Sequence, residues 1–150
     1  MSLRQNFPYI GAIYLLGMRD EKILLLKRAN TSYYAGRYSL PAWHMDGHEL
    51  PTEAMIREAY EELGITIRPE CFGEPLTLFR MAMHNNGNGE RFEFFFPLTT
   101  REWEIVNNEP DKCSDLSRFP LDALPDETIP YIREVIDAWQ SGKKFLEIRE

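Results

Sequence analysis

Apolar residues along this chain follow two periods, one suited to strands and one to helices. Tyr9 to Met18 is apolar and rich in strand formers, Arg19-Asp20-Glu21 reads as a turn, and Lys22 to Arg28 carries the run Ile23-Leu24-Leu25-Leu26. Together they predict a hairpin with one strand buried on both faces. A polar loop, Ala29 to Arg37, leads to a short strand at Tyr38-Ser39-Leu40. A helix should begin near Pro51, a good first helical residue, and stop at Gly64. Ile56, Ala59, Tyr60 and Leu63 lie on its apolar face. Ile65 to Pro69 reads as a short strand. Pro75 to His84 and Arg91 to Leu98 read as two more strands, joined by the turn Asn85-Asn86-Gly87-Asn88-Gly89. Trp103 to Val106 is expected as a broken edge strand, Asn107 to Ser117 as polar loop and Pro120 to Leu124 as a turn. Ile129 to Gln140 is expected as a second amphipathic helix ending at Gly142. Strands flanked by two helices suggest an α/β fold, an α/β/α sandwich around a mixed sheet.

The 150 residues suffice for one domain with a sizeable core, and no repeat, low-complexity tract or linker divides them. Residues 1–150 are therefore expected to form a single domain. The composition, 43% hydrophobic and 27% charged, is that of an ordinary globular protein. A net charge of −7 argues against a nucleic-acid polymer as partner, because phosphate backbones are bound by basic surface. A small nucleotide is still compatible, since metal ions can bridge its phosphates. Cys71 and Cys113 have no metal-ligand spacing and form no disulfide framework, so free thiols in a reducing cytosol are expected. The first residues lack an apolar signal core and no segment approaches membrane-spanning length. A cytoplasmic protein without a membrane partner is the corresponding expectation.

Chemistry concentrates in the last turn of the first helix. Glu61 and Glu62 lie about 60° and 40° to either side of Glu58, giving three carboxylates on one face. Like charges at these spacings repel, and carboxylates near a helix C-terminus oppose the macrodipole. A hard divalent cation would turn that repulsion into coordination. The alternative is an ordinary solvated Glu-rich face.

Before this turn stand Trp43, Glu49 and Arg57, and after it Gly64 and Ile65. The run resembles the Nudix box, G-x5-E-x7-R-E-U-x-E-E-x-G-U with U aliphatic, over residues 43–65. Glu49, Arg57, Glu58, Glu61, Glu62, Gly64 and Ile65 stand at the required positions, with Ala59 a small stand-in for the first U. The five matches from Arg57 to Gly64 arise by chance in roughly one chain of this length in ten thousand. The resemblance extends over most of the chain, from about Tyr9 to Gly142. It implies the same α/β/α sandwich and a hydrolase, dependent on Mg²⁺ or Mn²⁺, that splits a phosphoanhydride in a nucleoside diphosphate linked to another group. A nucleoside triphosphate releasing diphosphate is the first expectation. ADP-ribose or a dinucleoside polyphosphate is the second. The resemblance implies Glu58, Glu61, Glu62 and the Ala42 carbonyl as metal ligands, with Arg57 and Glu49 as catalytic supports. It also implies a monomer or homodimer acting on a small nucleotide.

One position departs from the box. Trp43 stands where Gly is usual, and if the loop needs positive φ a Trp there is strained. Trp43 could take an allowed conformation, packed or stacked on a base, it could impair activity, or the chain could bind nucleotide without hydrolysis. Trp43→Gly would then raise activity or stability. A further carboxylate from outside the box is expected at Glu90 or Glu93, in preference to Glu109 or Asp111. The loop Asn108-Glu109-Pro110-Asp111-Lys112-Cys113 resembles an E-P-x-K-C element of a subset of Nudix proteins, although Arg118 stands where many relatives carry Trp. Arg28, Arg37, Trp43, Arg80, His84 and Lys112 complete the candidate substrate contacts.

Overall fold

The computed structural model describes residues 6–82, 89–99 and 103–150. His84, and the turn expected at residues 85–89 apart from Gly89, lie outside them. Strands β1 (Ile10–Arg19) and β2 (Lys22–Arg28) form the anticipated hairpin. Its turn residues Asp20 and Glu21 both take positive φ (50° and 62°), the mirror-image turn whose twist matches paired strands. Strand β3 (Tyr38–Ser39) pairs with β2, and β4 (Ala42–His44) pairs antiparallel with β1. Helix α1 spans Pro51–Leu63. Strands β5 (Leu76–Met81) and β6 (Glu90–Leu98) pair antiparallel, and β6 runs parallel to β1 from Ile10↔Arg91 to Gly17↔Leu98. Strand β7 (Cys113–Pro120) adds to β2, helix α2 spans Pro130–Gln140, and β8 (Phe145–Arg149) lies parallel to β5. The main strand order is β3-β2-β1-β6-β5-β8.

The alternation of β1 sorts the core into two layers. Ala12, Tyr14 and Leu16 face α2, where they meet Ile132, Val135 and Ile136. Ile13 and Leu15 face α1, where they meet Ala54, Met55, Ala59 and Leu63. A mixed sheet between two helices is the expected sandwich. Among the described residues no helix is long and apolar enough to cross a membrane.

Several local expectations give way. Tyr60 is exposed, because the buried stripe of α1 runs through Ala54, Met55, Ala59 and Leu63. Ile65 and Ile67 are buried but belong to no strand; their side chains pack into the α1-side core while the backbone stays irregular up to the 3₁₀ turn Pro69–Cys71. Trp103 to Val106 forms no strand, since the Val106 N–H bonds the Leu63 carbonyl of α1 instead of a sheet neighbour. The polar segment expected as loop from Asn107 to Ser117 becomes strand from Cys113 onward, where β7 begins. Its apolar side chains are few, but β2 supplies a backbone ladder along Ile23↔Phe119 and Leu25↔Ser117. Strand β8 has only partly buried side chains and carried no signal in the pattern.

Trp43 lies in β4 opposite Ile13 and is 8% exposed, packed in the α1-side core. Among the described residues positive φ falls on His48 of this loop and not on Trp43. The strain expected at the Gly position of the box is therefore absent.

A polar group is built into the opposite layer. Arg80 and Glu93 are fully buried and pair bidentately, Nε to Oε2 at 2.9 Å and Nη2 to Oε1 at 2.8 Å. Tyr14 donates to Glu93 (2.8 Å), and Arg80 stacks 3.8 Å from the Tyr131 ring centre. The third guanidinium nitrogen donates to the Tyr33 hydroxyl (2.6 Å) and the Glu150 carboxylate (2.7 Å). Burial alone would lower the Arg80 pKa, but the hydrogen-bonded Glu93 carboxylate raises it overall.

Two stability measurements test these assignments. Trp43→Gly should cost about 3–5 kcal/mol in denaturant unfolding, because it opens a core cavity in a strand; unchanged or increased stability would show that the indole is not needed. Arg80→Met should cost about 3–5 kcal/mol by stranding a buried carboxylate, and Arg80→Met/Glu93→Leu should recover at least half of that loss. A double variant no better than the single one would refute the pairing account.

Candidate active site

The acidic turn is held at both ends by backbone chemistry. At the N-terminus of α1 the Glu53 carboxylate accepts from the Leu50 N–H at 2.8 Å. At the C-terminus Gly64 takes φ 66°, and its N–H bonds the Tyr60 carbonyl at 3.1 Å. The carbonyls that a helix end leaves unpaired are taken by the loop before β7. Val106 N–H donates to Leu63, Asn108 N–H to Glu62, and Asn108 Nδ2 to Glu61, at 2.9–3.1 Å. This docking brings Glu109 to the end of α1, beside Glu62.

Arg57 organises the carboxylates. Its Nε and Nη2 hold Glu49 bidentately at 3.2 and 2.8 Å, Nη1 reaches Glu58 at 2.8 Å and Glu61 at 3.4 Å, and Nη2 also reaches Asp46 at 3.4 Å. The hydrogen bonds that Arg57 donates to Glu49 and Glu58 raise its pKa, and the bond from Arg57 lowers that of Glu49. Glu62 is different. Its Oε2 accepts from the Trp43 indole N–H, and burial is the main reason its pKa is pushed up to about 7. The indole opposes that rise, while Glu109 and Glu58 add to it by repulsion.

Of these groups Glu62, Glu109 and Trp43 open on a cavity of about 570 Å³, whereas Glu49, Arg57, Glu58 and Glu61 stand outside its wall. Its wall includes the neighbours Glu62, Glu109 and Trp43 with the Ala42 position, and a second group in which Arg28 and Arg91 flank Tyr33 and act on His44. Tyr14 and Tyr131 also line it, and join it to the buried Arg80–Glu93 pair. Partial desolvation, followed by the charge of Arg91, lowers the His44 pKa.

The other sequence candidates divide. Arg28 lines the cavity and is braced by the Tyr33 carbonyl (3.0 Å) and the Thr31 hydroxyl (3.4 Å). Lys112 also lines it and lies 3.7 Å from Glu109. Arg37 is exposed and outside the cavity wall. Arg80 does not meet phosphate here, because all its nitrogens are engaged in the core. Glu93 is neither a free catalytic carboxylate nor a solvated residue, since both its oxygens are bound by Arg80. Glu90 is partly buried on β6 and outside the cavity wall. His84 lies outside the described residues. Of the carboxylates considered beyond the box, Glu109 is the one beside Glu62. Asp46, His44, Arg91, Asn107 and Asn108 carried no sequence signal, apart from the short Asn-Asn pair ahead of Glu109.

A divalent cation would meet only oxygen donors here. Among the described residues no three acidic, histidine or cysteine side chains converge into a ready cage, as Arg57 and Trp43 occupy several carboxylate oxygens. Mg²⁺ commonly takes one or two protein carboxylates and completes its shell with water and phosphate, so the crowded Glu62 and Glu109 and nearby Glu58 suit it.

Comparison with known proteins agrees with this geometry. The zebrafish (Danio rerio) 8-oxo-dGDP phosphatase NUDT18 is 36% identical over 69 residues, which are 46% of this chain and 21% of that protein. The chain thus matches only about a fifth of that relative's length. The crystal structure of a MutT NUDIX hydrolase from Burkholderia pseudomallei superposes with a TM-score of 0.73 at 26% identity, covering 87% of this chain and 98% of that one. A MutT protein from Methanosarcina mazei Go1 shares the fold with a TM-score of 0.72 at 22% identity, over 93% and 97% of the two chains. The NUDIX domain family model matches residues 7–139, and with the box, the sandwich and the carboxylate-lined cavity in agreement, the chain belongs to the Nudix family.

Proposed function

We propose that this protein is a Mg²⁺-dependent hydrolase of a phosphoanhydride bond in a nucleoside diphosphate linked to another group, most simply a nucleoside triphosphate releasing diphosphate. The observation that carries the reading is the juxtaposition of Glu62 and Glu109 in the wall of a nucleotide-sized cavity, with the charge of Glu58 acting on Glu62. Membership of the Nudix family and the hydrolase names of its relatives support the same reaction class. A small nucleotide as substrate follows from the cavity and from the net charge of −7, which also disfavours a nucleic-acid polymer.

Glu58 and Glu62, with the Ala42 carbonyl and the more exposed Glu61, are the residues that would hold the cation. When bound, the cation would neutralise the diphosphate and lower the pKa of a water. Glu109, held by Asn107 and Asn108 docking and free of the Arg57 clamp, is the proton acceptor in this reading. Arg57 and Glu49 fix the turn and do not touch substrate. Trp43 orients Glu62 through its indole N–H and screens it from bulk water, so the Trp at the Gly position is compatible with turnover. Arg28 and Lys112 supply positive charge along the cavity. Residues 1–150 act as one domain, and the two unpaired cysteines suit a reducing cytoplasm. A monomer suffices for a nucleoside triphosphate. ADP-ribose or a dinucleoside polyphosphate would need a second sugar or nucleoside site, which a homodimer could complete.

The test is diphosphate and phosphate release from a nucleotide panel with and without Mg²⁺. Turnover should require the cation, and Glu109→Gln should lower kcat about 10²–10³-fold with KM little changed. Glu62→Gln should abolish Mg²⁺-dependent turnover while the fold survives. Metal-independent turnover, or full activity of Glu62→Gln, would overturn the reading. Saturable nucleotide binding without turnover would instead identify a binding module.

A further inference from the structure

Arg91 is the one cavity-lining side chain that combines deep burial with an open hydrogen-bond donor. It is 9% exposed, and its Nε has no hydrogen-bond partner among the described residues. Strand β6 turns Arg91 to the same face as Glu93, yet both Glu93 oxygens are taken by Arg80 and Tyr14. Neither Arg91 nor Arg28 has a carboxylate partner among the described residues. Their guanidinium carbons each lie 5.9 Å from the centre of the Tyr33 ring. His44 lines the same cavity, close enough to Arg91 and Arg28 to feel their charge. A buried charged donor left without a partner is costly, so the arrangement calls for a ligand that supplies acceptors.

We propose that Arg91, assisted by Arg28 and His44, reads the acceptor edge of a 6-keto purine, making this site selective for guanine or hypoxanthine nucleotides. The inference rests on the hydrolase reading above, in which the phosphates lie at Glu62 and Glu109 and the base is held at Arg91. A guanidinium meets O6 and N7 of such a base with two parallel donors, whereas adenine offers an amino donor beside N7 and would face donor to donor. Tyr33, whose ring centre lies 5.9 Å from the guanidinium carbons of Arg28, Arg80 and Arg91, puts an aromatic side chain in the cavity wall beside which a planar base can pack. A site with hydrogen bonds to a specific edge discriminates strongly, because the wrong base leaves the buried donor unpaired.

The test is calorimetric binding of GMP, IMP, 7-deaza-GMP and AMP to the whole protein with Mg²⁺ present, run beside the turnover assay. GMP and IMP should bind at least about tenfold more tightly than AMP, and 7-deaza-GMP should lose most of that advantage. Arg91→Lys, which keeps the charge but not the two-pronged geometry, should bring GMP down to the level of AMP and leave AMP unchanged. His44→Ala, on an exposed position, serves as the second variant should Arg91→Lys unfold, and should narrow the same preference. Equal binding of AMP and GMP, no binding of GMP, or a preference that survives both variants would overturn the proposal. So would Arg91-dependent binding of ADP-ribose that exceeds GMP, which would assign this end to a second anionic group. Base preference without turnover of any nucleotide would sustain this inference while removing the hydrolase reading, so the two failures are distinguishable.

Discussion

Everything at the site depends on one guanidinium. Arg57 binds Glu49 in two-pronged fashion and also contacts Asp46, Glu58 and Glu61, so that a turn crowded with like charge keeps one geometry. The Arg57 side chain is one-third exposed, and each of these ion pairs alone adds little to stability. Their value is positional. A planar fork with several donors fixes carboxylate orientation better than an ammonium could. The clamp also leaves Glu62 outside it, turned towards Trp43 and the cavity, where burial and neighbouring acids make its negative charge costly.

The second constraint is the C-terminus of α1. A helix end exposes carbonyls that need donors, and here the loop through Asn108 supplies them. The same hydrogen bonds that finish the helix bring Glu109 into the cavity, so local backbone satisfaction and active-site assembly are one event. Behind the cavity the Arg80–Glu93 pair performs a comparable task. It holds Tyr14, Tyr131 and Tyr33 in relation to one another through bonds that involve no ligand.

Most of the framework was readable in the chain because its signals are local. The hairpin of β1 and β2, the two helices and the Gly64 stop follow from periodicity and capping chemistry. The cluster of Glu58, Glu61 and Glu62 follows from spacing along a single helix, and the roles of Arg57 and Glu49 from the resemblance to the box. The failures come from partners distant in sequence. Strand alternation puts Glu93 on the face of β6 away from Phe92 and Phe94, but no pattern along the chain says that Arg80 on β5 binds it there. Strand β7 has too few apolar residues to announce itself and forms because β2 offers an open edge. Whether Trp43 is strained at a Gly position turned on the φ of its loop, and β1 draws the segment into the extended strand β4, where an indole is well accommodated. Glu109 ranked behind Glu90 and Glu93 because the docking of its loop is a tertiary event.

The central claim is that the acidic turn is an assembled receptor for a divalent cation. Its most direct test is titration of the whole protein with Mn²⁺, followed by the electron paramagnetic resonance of the free ion. The account predicts saturable Mn²⁺ binding that Mg²⁺ displaces and that weakens at least about tenfold when Glu58 or Glu62 becomes Gln. Binding that is absent, or that persists unchanged in both variants, would contradict it.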